Sequence, residues 1–208
     1  MIPVQEQPEP PDFSTKVRIP GQDFLKKVPQ PTNKQFKKAR HWRNCVNDLY
    51  MAYQGICAYS AHWIPPGVTR ITVDHFIPKD KDPNLAYEWS NFRLCSEKIN
   101  NYKDDEIDVM DPFNIKYDWF IINFTTFFIE AEDSLPTYLK DAVNATIRRL
   151  RLNDDDGLVQ ERANYVQLYI DSEIPFNFLE RRYPFIAYEL NRQGLKETIK
   201  SRSKKPSV

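Results

Sequence analysis

The sequence predicts an α+β fold in which short strands occupy the middle of the chain and helices surround them. Between Cys57 and Asp105, two short alternating runs, TRITVDHF and NFRLC, are separated by the loop IPKDKDPNLAYEWS. Alternation with period two is typical of half-buried strands, and the Pro, Asp and Asn residues between the runs favour a loop. The second run leads into SEKINNYKDD, which has helical character. We therefore expect the order strand, loop, strand, helix here and helical periodicity elsewhere.

Residues 1–33 are predicted to form an extended arm. They contain seven of the 16 prolines of the chain. Each proline fixes φ and removes a backbone donor, which favours extended conformations over helix. We expect the arm to wrap the body of the protein or to remain mobile.

A helix is predicted over residues 34–53. Apolar side chains recur there at helical spacing, and Gly55 follows as a residue suited to end the helix. The first ten residues of this stretch carry five basic side chains and no acid, namely Lys34, Lys37, Lys38, Arg40 and Arg43. Such a run is usually the solvated face of an amphipathic helix, and contact with DNA is the alternative.

Beyond Pro112 the pattern predicts four helices, over 117–132, 135–152, 156–170 and 178–193. The chain is thereby divided into the arm (1–33), a core with its preceding helix (34–110), a helical region packed on that core (111–197) and a basic tail (198–208). The tail carries Lys200, Arg202, Lys204 and Lys205.

Composition restricts the class of protein. The mean hydropathy is −0.63, and no run approaches the roughly 20 apolar residues that a bilayer crossing needs, so we expect no membrane partner. Three cysteines without a repeated CxxC pair fit a reducing compartment, and we expect a cytoplasmic protein. Because 29 basic side chains balance 29 acidic ones, any affinity for nucleic acid must come from local clusters.

Three residues of the central region carry the groups that phosphodiester hydrolysis requires. The reaction needs a base to deprotonate water and a hard cation, held by oxygen ligands, to stabilise charge on the phosphate and the leaving oxygen. His75 can supply the base, and Asp74 and Asn100 can supply the oxygens. A DH dipeptide alone is weak support, but Asn91 follows His75 by 16 residues, Asn100 follows by nine more and Lys103 by three more.

This ordered series resembles the pattern of the HNH (His-Me finger) endonuclease family, which reads DH, P, a loop, N, a short strand, and then N or H and K on a helix. The resemblance covers VDHFIPKDKDPNLAYEWSNFRLCSEKINNYK, and it implies a small ββα-metal core over about residues 56–105, surrounded by helices that are mainly C-terminal.

The resemblance also implies roles for individual residues. Asp74 and Asn100 would be metal ligands, His75 the general base, and Asn91 a residue that ties the two sides of the loop together and keeps the base aimed. Two hard oxygen ligands with open positions suit Mg²⁺, or Mn²⁺, better than zinc. The flanking cations expected to contact phosphate are Lys79, Lys81, Arg93 and Lys103.

The chain departs from the family at the structural zinc site. Many relatives bind zinc through two CxxC pairs, but the matching positions here are Cys57, Ser60, Ser96 and Ile99. Only one of these four residues is a cysteine, and Cys95, one residue from an expected position, does not complete a tetrahedral site with Cys57 alone. We therefore expect no structural zinc. Aromatic packing is expected in its place, by Tyr59, Trp63, Tyr87 and Trp89.

The resulting hypothesis is a metal-dependent endonuclease, with DNA favoured over RNA. Compact proteins of this family often serve as the nuclease of bacterial antiphage defence systems, sometimes beside an ATPase, so the resemblance is compatible with an ATPase partner. One site per chain cuts one strand at a time. Double-strand cleavage is therefore compatible with a homodimer. Two alternatives stay open. One is a nuclease-like module that binds nucleic acid or a partner without cleavage, and the other is an RNA-cleaving or toxic nuclease.

Overall fold

The structure, a computed structural model, describes residues 1–154 and 156–203, with side chains to residue 199. It has a mixed α+β architecture with two separate two-stranded antiparallel sheets. None of the helices in these two described ranges is long and apolar enough to cross a membrane. The basic tail predicted for 198–208 falls almost entirely outside the described side chains.

The expectation of an extended arm is correct only for the first residues. Residues 1–10 lie without regular structure along the body, where the backbone N–H of Val4 donates to the carbonyl of Pro112 at 2.9 Å. A π-helical turn, Ser14–Arg18, then leads into helix α1, Ile19–Lys27. The prediction missed this helix because Pro20 occupies its first turn, where a missing N–H costs nothing.

Packing fixes the position of α1. Phe13 and Val17 are fully buried, and Gly21 lies directly under the ring of Tyr87. A Cβ built on Gly21 would be 2.1 Å from Cγ of Tyr87, so this crossing admits only glycine.

The predicted continuous helix over 34–53 is wrong. The segment contains α2 (Asn33–Phe36), a 3-10 turn (His41–Cys45) and α3 (Val46–Ala52). Tertiary contacts of Trp42 favour the interruption. Its ring packs edge-on against His75 at 4.8 Å between ring centroids, and at a tilt against Tyr87 at 5.8 Å. Aromatic contacts of this kind outweigh the weak local preference for helix.

The central region has the predicted order. Strand β1 (Ile71–His75) pairs antiparallel with β2 (Phe92–Ser96), and α4 (Glu97–Lys103) follows directly. The register places Thr72 opposite Cys95 and Asp74 opposite Arg93. The hydroxyl of Ser96 caps α4 by accepting from the N–H of Ile99 at 3.5 Å.

Residues 117–132, predicted as a helix, form a hairpin instead. Strands β3 (Phe120–Asn123) and β4 (Phe128–Ala131) pair antiparallel. Ile, Phe and Thr dominate this stretch, and their β-branched and aromatic side chains favour a pleated surface over a helix. The helical interpretation overlooked that composition.

Five helices complete the fold: α5 (Thr137–Arg149), α6 (Asp156–Ile170), α7 (Phe176–Arg182), α8 (Pro184–Arg192) and α9 (Leu195–Ser203). The predictions for α5 and α6 are confirmed. The helix predicted over 178–193 is split in two, because Pro184 cannot donate to the preceding turn and starts a new helix. Buried side chains from the N-terminal segment, the β1–β2 pair and these helices form one contiguous hydrophobic cluster.

Candidate functional site

A cleft of about 660 Å³ opens beside β1 and α4. Asp74 and His75, at the end of β1, and Asn100, in the middle of α4, all line it. The structure thus brings these three sequence-predicted site residues, together with Lys79, to one cavity. Its remaining walls come from residues 36–46, from 70–73 and from the end of α4.

His75 is held by the protein in a single orientation. Its Nε2 lies 2.9 Å from the carbonyl oxygen of Ala86, and its ring packs edge-on against Trp42 and Phe92. Because a carbonyl can only accept, Nε2 must carry the proton. Burial, reinforced by the positive charge of Lys79, lowers the pKa of His75 to about 3 and keeps the ring neutral. In a neutral ring protonated at Nε2, the lone pair is on Nδ1.

Asn91 connects the two sides of the loop between β1 and β2. Its Oδ1 accepts from the N–H of Ile77 at 2.8 Å, while its Nδ2 donates to the carbonyls of Ile77 at 2.9 Å and Leu85 at 3.1 Å. Asn91 is buried and uses both ends of its amide. The carbonyl of Ala86, which holds His75, is adjacent to Leu85, so these bonds fix the backbone that orients the imidazole.

Asp74 is buried in an ion pair. Its Oδ1 lies 3.2 Å from Nζ of Lys103, and its Oδ2 accepts from the hydroxyl of Tyr59 at 2.5 Å. Burial raises the pKa of Asp74, and the neighbouring ammonium and hydroxyl groups oppose that shift. Each carboxylate oxygen has a second lone pair, so these partners leave acceptor capacity for a cation in the cleft.

Asn100 is oriented by a short chain of hydrogen bonds. The hydroxyl of Thr72 donates to the carbonyl of Cys95 at 2.8 Å, and Nδ2 of Asn100 donates to that hydroxyl at 3.1 Å. The opposite amide orientation would place Oδ1 against an oxygen whose proton is already committed. The network therefore assigns Nδ2 to Thr72 and leaves Oδ1 of Asn100 as an acceptor with no partner among the described residues.

Two of the four predicted phosphate contacts are wrong. Arg93 is 3% exposed, forms a two-pronged ion pair with Asp111 at 2.8 and 2.7 Å, and stacks on Phe113. Lys103 is fully buried, and its Nζ lies 3.2 Å from both Asp74 Oδ1 and the carbonyl oxygen of His75. Both side chains hold the protein interior together and cannot reach a phosphate. Position in the motif could not reveal this, because burial depends on residues distant in sequence.

The other two predicted contacts are at the surface. Lys79 lines the cleft, with its Nζ 3.6 Å from Oδ1 of Asp105. Lys81 is exposed on the loop but does not line the cleft.

Sequence reasoning missed Thr72 and Tyr59 as partners of the site, and it missed Arg70 in the cleft wall. A signal existed for Thr72, since it precedes Asp74 by two residues and strand alternation places both on one face. Tyr59 was assigned only to packing, and its bond to Asp74 follows from the tertiary fold.

The cysteines lie close together in the interior. The sulfurs of Cys57 and Cys95 are 3.9 Å apart, and both residues are fully buried as free thiols. Burial alone would raise the pKa of Cys57, but hydrogen bonds from Cys95 and Ser60 outweigh it and lower the pKa to about 5. In the described ranges no group of three or more His, Cys, Asp or Glu side chains could hold a metal ion.

The aromatic packing expected around this region has two components. Tyr59, Tyr87 and Trp89 are buried, as predicted, whereas Trp63 is half-buried and stacks on Arg182 at 3.8 Å. Nearby, Nδ1 of His62 lies 3.3 Å from Glu161, which also accepts from the hydroxyl of Tyr183 at 3.0 Å. These contacts connect the residues after Cys57 to helix α6 and to the end of helix α7.

The chain matches no protein-family model, and no curated protein matches it.

Proposed function

We propose that this protein is a metal-dependent endonuclease of the HNH (ββα-metal) type that hydrolyses phosphodiester bonds of DNA. The observation that carries the proposal is the convergence of three groups in one cleft: a neutral imidazole anchored through Nε2, the buried carboxylate of Asp74, and the uncommitted amide oxygen of Asn100. The order of β1, β2 and α4 also agrees with the family pattern that the sequence resembles.

His75 is suited to act as the general base. Its Nδ1 would accept a proton from water as the water oxygen attacks phosphorus, and the bond from phosphorus to the 3′ oxygen would break. The products would be a 5′-phosphate and a 3′-hydroxyl. The bonds of Asn91 across the loop keep the imidazole aimed, so the base needs no reorganisation when the substrate arrives.

The donor chemistry of the cleft fits a hard divalent cation. Asp74 and Asn100 would hold Mg²⁺ or Mn²⁺ through oxygen atoms, the ligand type that both ions prefer. When bound, such an ion stabilises negative charge on the phosphate and on the leaving oxygen. The hydrogen bond from Asn100 to Thr72 keeps the amide oxygen available for this role.

Incubation of purified protein with supercoiled plasmid, in Mg²⁺, Mn²⁺ or EDTA, tests the proposal. Relaxed circles should appear first, because one site cuts one strand, and EDTA should abolish the activity. His75→Ala should lower the rate by about 10² to 10⁴, the range in which a general base contributes. Asn100→Ala should also lower it, and the loss should be partly recovered at high Mg²⁺.

His41→Ala is a matched control, since His41 lies in the same segment as Trp42 but does not line the cleft. Full activity in His75→Ala would rule out the proposed base. Cleavage of RNA with an inert plasmid would keep the site and change the substrate. Inertness on both would favour a binding module.

A further inference from the structure

We propose that Lys37, Arg40, Arg43 and Arg70 form a cationic wall that binds the sugar-phosphate backbone of nucleic acid beside the candidate site. This inference rests on the proposed function, because it identifies where the substrate of that site would lie.

The four side chains of the cationic wall lie beside the candidate site, because all of them line the same cleft as His75 and Asn100. Three come from the interrupted segment between α2 and α3, and Arg70 immediately precedes β1. On a continuous helix, Lys37, Arg40 and Arg43 would already share one face, because side chains three residues apart are neighbours on a helix. In the structure they lie after α2 and in the 3-10 turn, and the fold places Arg70 beside the same cleft.

Most of the positive charge of the cationic wall is not compensated by carboxylates in the described part of the chain. In the described part of the chain, Lys37, Arg40 and Arg43 have no carboxylate within ion-pair distance, whereas Arg18, Arg93 and Arg192 each do. Arg70 pairs with Glu97 at 2.8 Å but remains 58% exposed. Charges of one sign collected without partners repel each other, and an anionic ligand would relieve that repulsion.

Arg40, Arg43 and Arg70 line one cleft, so their guanidinium groups can act on a common polyanionic ligand. In agreement with this placement, burial lowers the pKa of Arg43, and the charges of Arg40 and Arg70 lower it further. Guanidinium groups present paired donors that match the oxygens of phosphate groups, and a phosphodiester backbone offers a row of such anions to the cationic wall.

Acidic residues also line the cleft, and they define which side the backbone would follow. Glu97 and Asp105 are neutralised by Arg70 and Lys79, while Asp104 lies at the end of α4. A polyanion would thus run along the wall formed by residues 37–43 and avoid the acidic end of α4. Contacts of this type fix the position of the strand without reading bases, so binding should be independent of sequence.

Salt dependence of binding provides a test. A fluorescein-labelled 20-base-pair DNA duplex is titrated with the full-length protein in EDTA, by fluorescence anisotropy, from 50 to 200 mM KCl. Each lost phosphate contact lowers the slope of log K against log salt by about 0.9. Arg40→Gln/Arg43→Gln should therefore lower the slope by about 2 and weaken binding by about 10- to 100-fold at 100 mM salt.

The chain offers a matched control. Lys34 and Lys38 belong to the same basic run and are exposed, but they do not line the cleft. Lys34→Gln/Lys38→Gln removes the same net charge from the same segment, and its slope should stay within about 0.5 of the wild-type value. Circular dichroism melts establish that both double variants are folded.

Equal slopes for the two double variants, whether both reduced or both unchanged, would overturn the cationic wall. Failure of the nuclease proposal gives a different pattern, in which wild type binds with a steep salt slope that Arg40→Gln/Arg43→Gln reduces, yet cuts neither plasmid nor RNA. An RNA duplex of the same sequence, titrated in parallel, distinguishes the two sources of the backbone.

Discussion

The cleft and the cysteine pair both adjoin the β1–β2 pair, and both carry groups with lone pairs that chemistry could use. In the cleft, Oδ1 of Asn100 and Nδ1 of His75 have no hydrogen-bond partner among the described residues. At the cysteine pair, the sulfur of Cys57 is enclosed and hydrogen-bonded to Cys95. The two regions therefore differ in whether the fold leaves their polar groups an open lone pair and a route to solvent.

Asp74 lies at the boundary between the two regions. Asp74 lines the cleft and also contacts Tyr59 and Lys103 in the interior. The same carboxylate therefore contributes to stability and is a candidate metal ligand. Separate variants are needed to test its effect on stability and its effect on metal binding.

The largest stability effect is expected from Lys103→Met. This change leaves the carboxylate of Asp74 buried without its cation, and breaking a buried pair in this way costs about 3 to 5 kcal/mol.

Tyr59→Phe, which removes one neutral donor to the same carboxylate of Asp74, should cost about 1 to 3 kcal/mol. Urea unfolding measures both, and Lys81→Met on the exposed loop is the control. A neutral result for Lys103→Met would mean that Asp74 is not ionised in the folded protein.

Thr72→Val tests the cleft side of the comparison. It removes the acceptor that orients Asn100, so the Mg²⁺ concentration for half-maximal cleavage should rise by about 10- to 100-fold, with little change in stability. Thr72→Ser keeps the hydroxyl and should behave as wild type. If the valine and serine variants require the same Mg²⁺ concentration, Thr72 does not position the amide.

A smaller effect is expected on the cysteine side, at Glu161. Burial would raise the pKa of Glu161, but hydrogen bonds from His62 and Tyr183 outweigh it and lower the pKa from 4.5. A lowered pKa means that folding favours the carboxylate, so this stability is present above pH 4.5 and is lost as the pH falls through the lowered value.

Glu161→Gln should therefore be less stable than wild type near pH 7, by less than about 1 kcal/mol because the side chain is partly solvated. The two proteins should converge once the pH falls below the lowered pKa of Glu161. Thermal melts across this pH range measure the difference. A constant gap at every pH would contradict the assigned ionisation.

EDTA is expected to leave the stability of the protein unchanged. Because the cysteine pair supplies too few ligands for a structural zinc, dialysis against EDTA should leave the melting temperature unaltered while abolishing plasmid cleavage. Stoichiometric zinc retained after dialysis, or a melting temperature lowered by EDTA, would show that the cysteine region does hold a metal.

Much of the central region was predictable because its determinants are local. Strand alternation and the N-cap at Ser96 depend on neighbouring residues, and the strand, loop, strand, helix order follows from them. The hairpin of β3 and β4 and the helix α1 were not predicted. Composition carried the hairpin signal, whereas Pro20 obscured α1.

The sequence by itself determined which residues are candidates for phosphodiester chemistry, since their types and the spacing of Asp74, His75, Asn91 and Asn100 can be read without a structure. Only the tertiary structure decided which charges face the cleft. It buried Arg93 and Lys103 in ion pairs and brought Arg70 to the same cleft wall as Lys37, Arg40 and Arg43, because these placements depend on contacts between segments far apart in sequence.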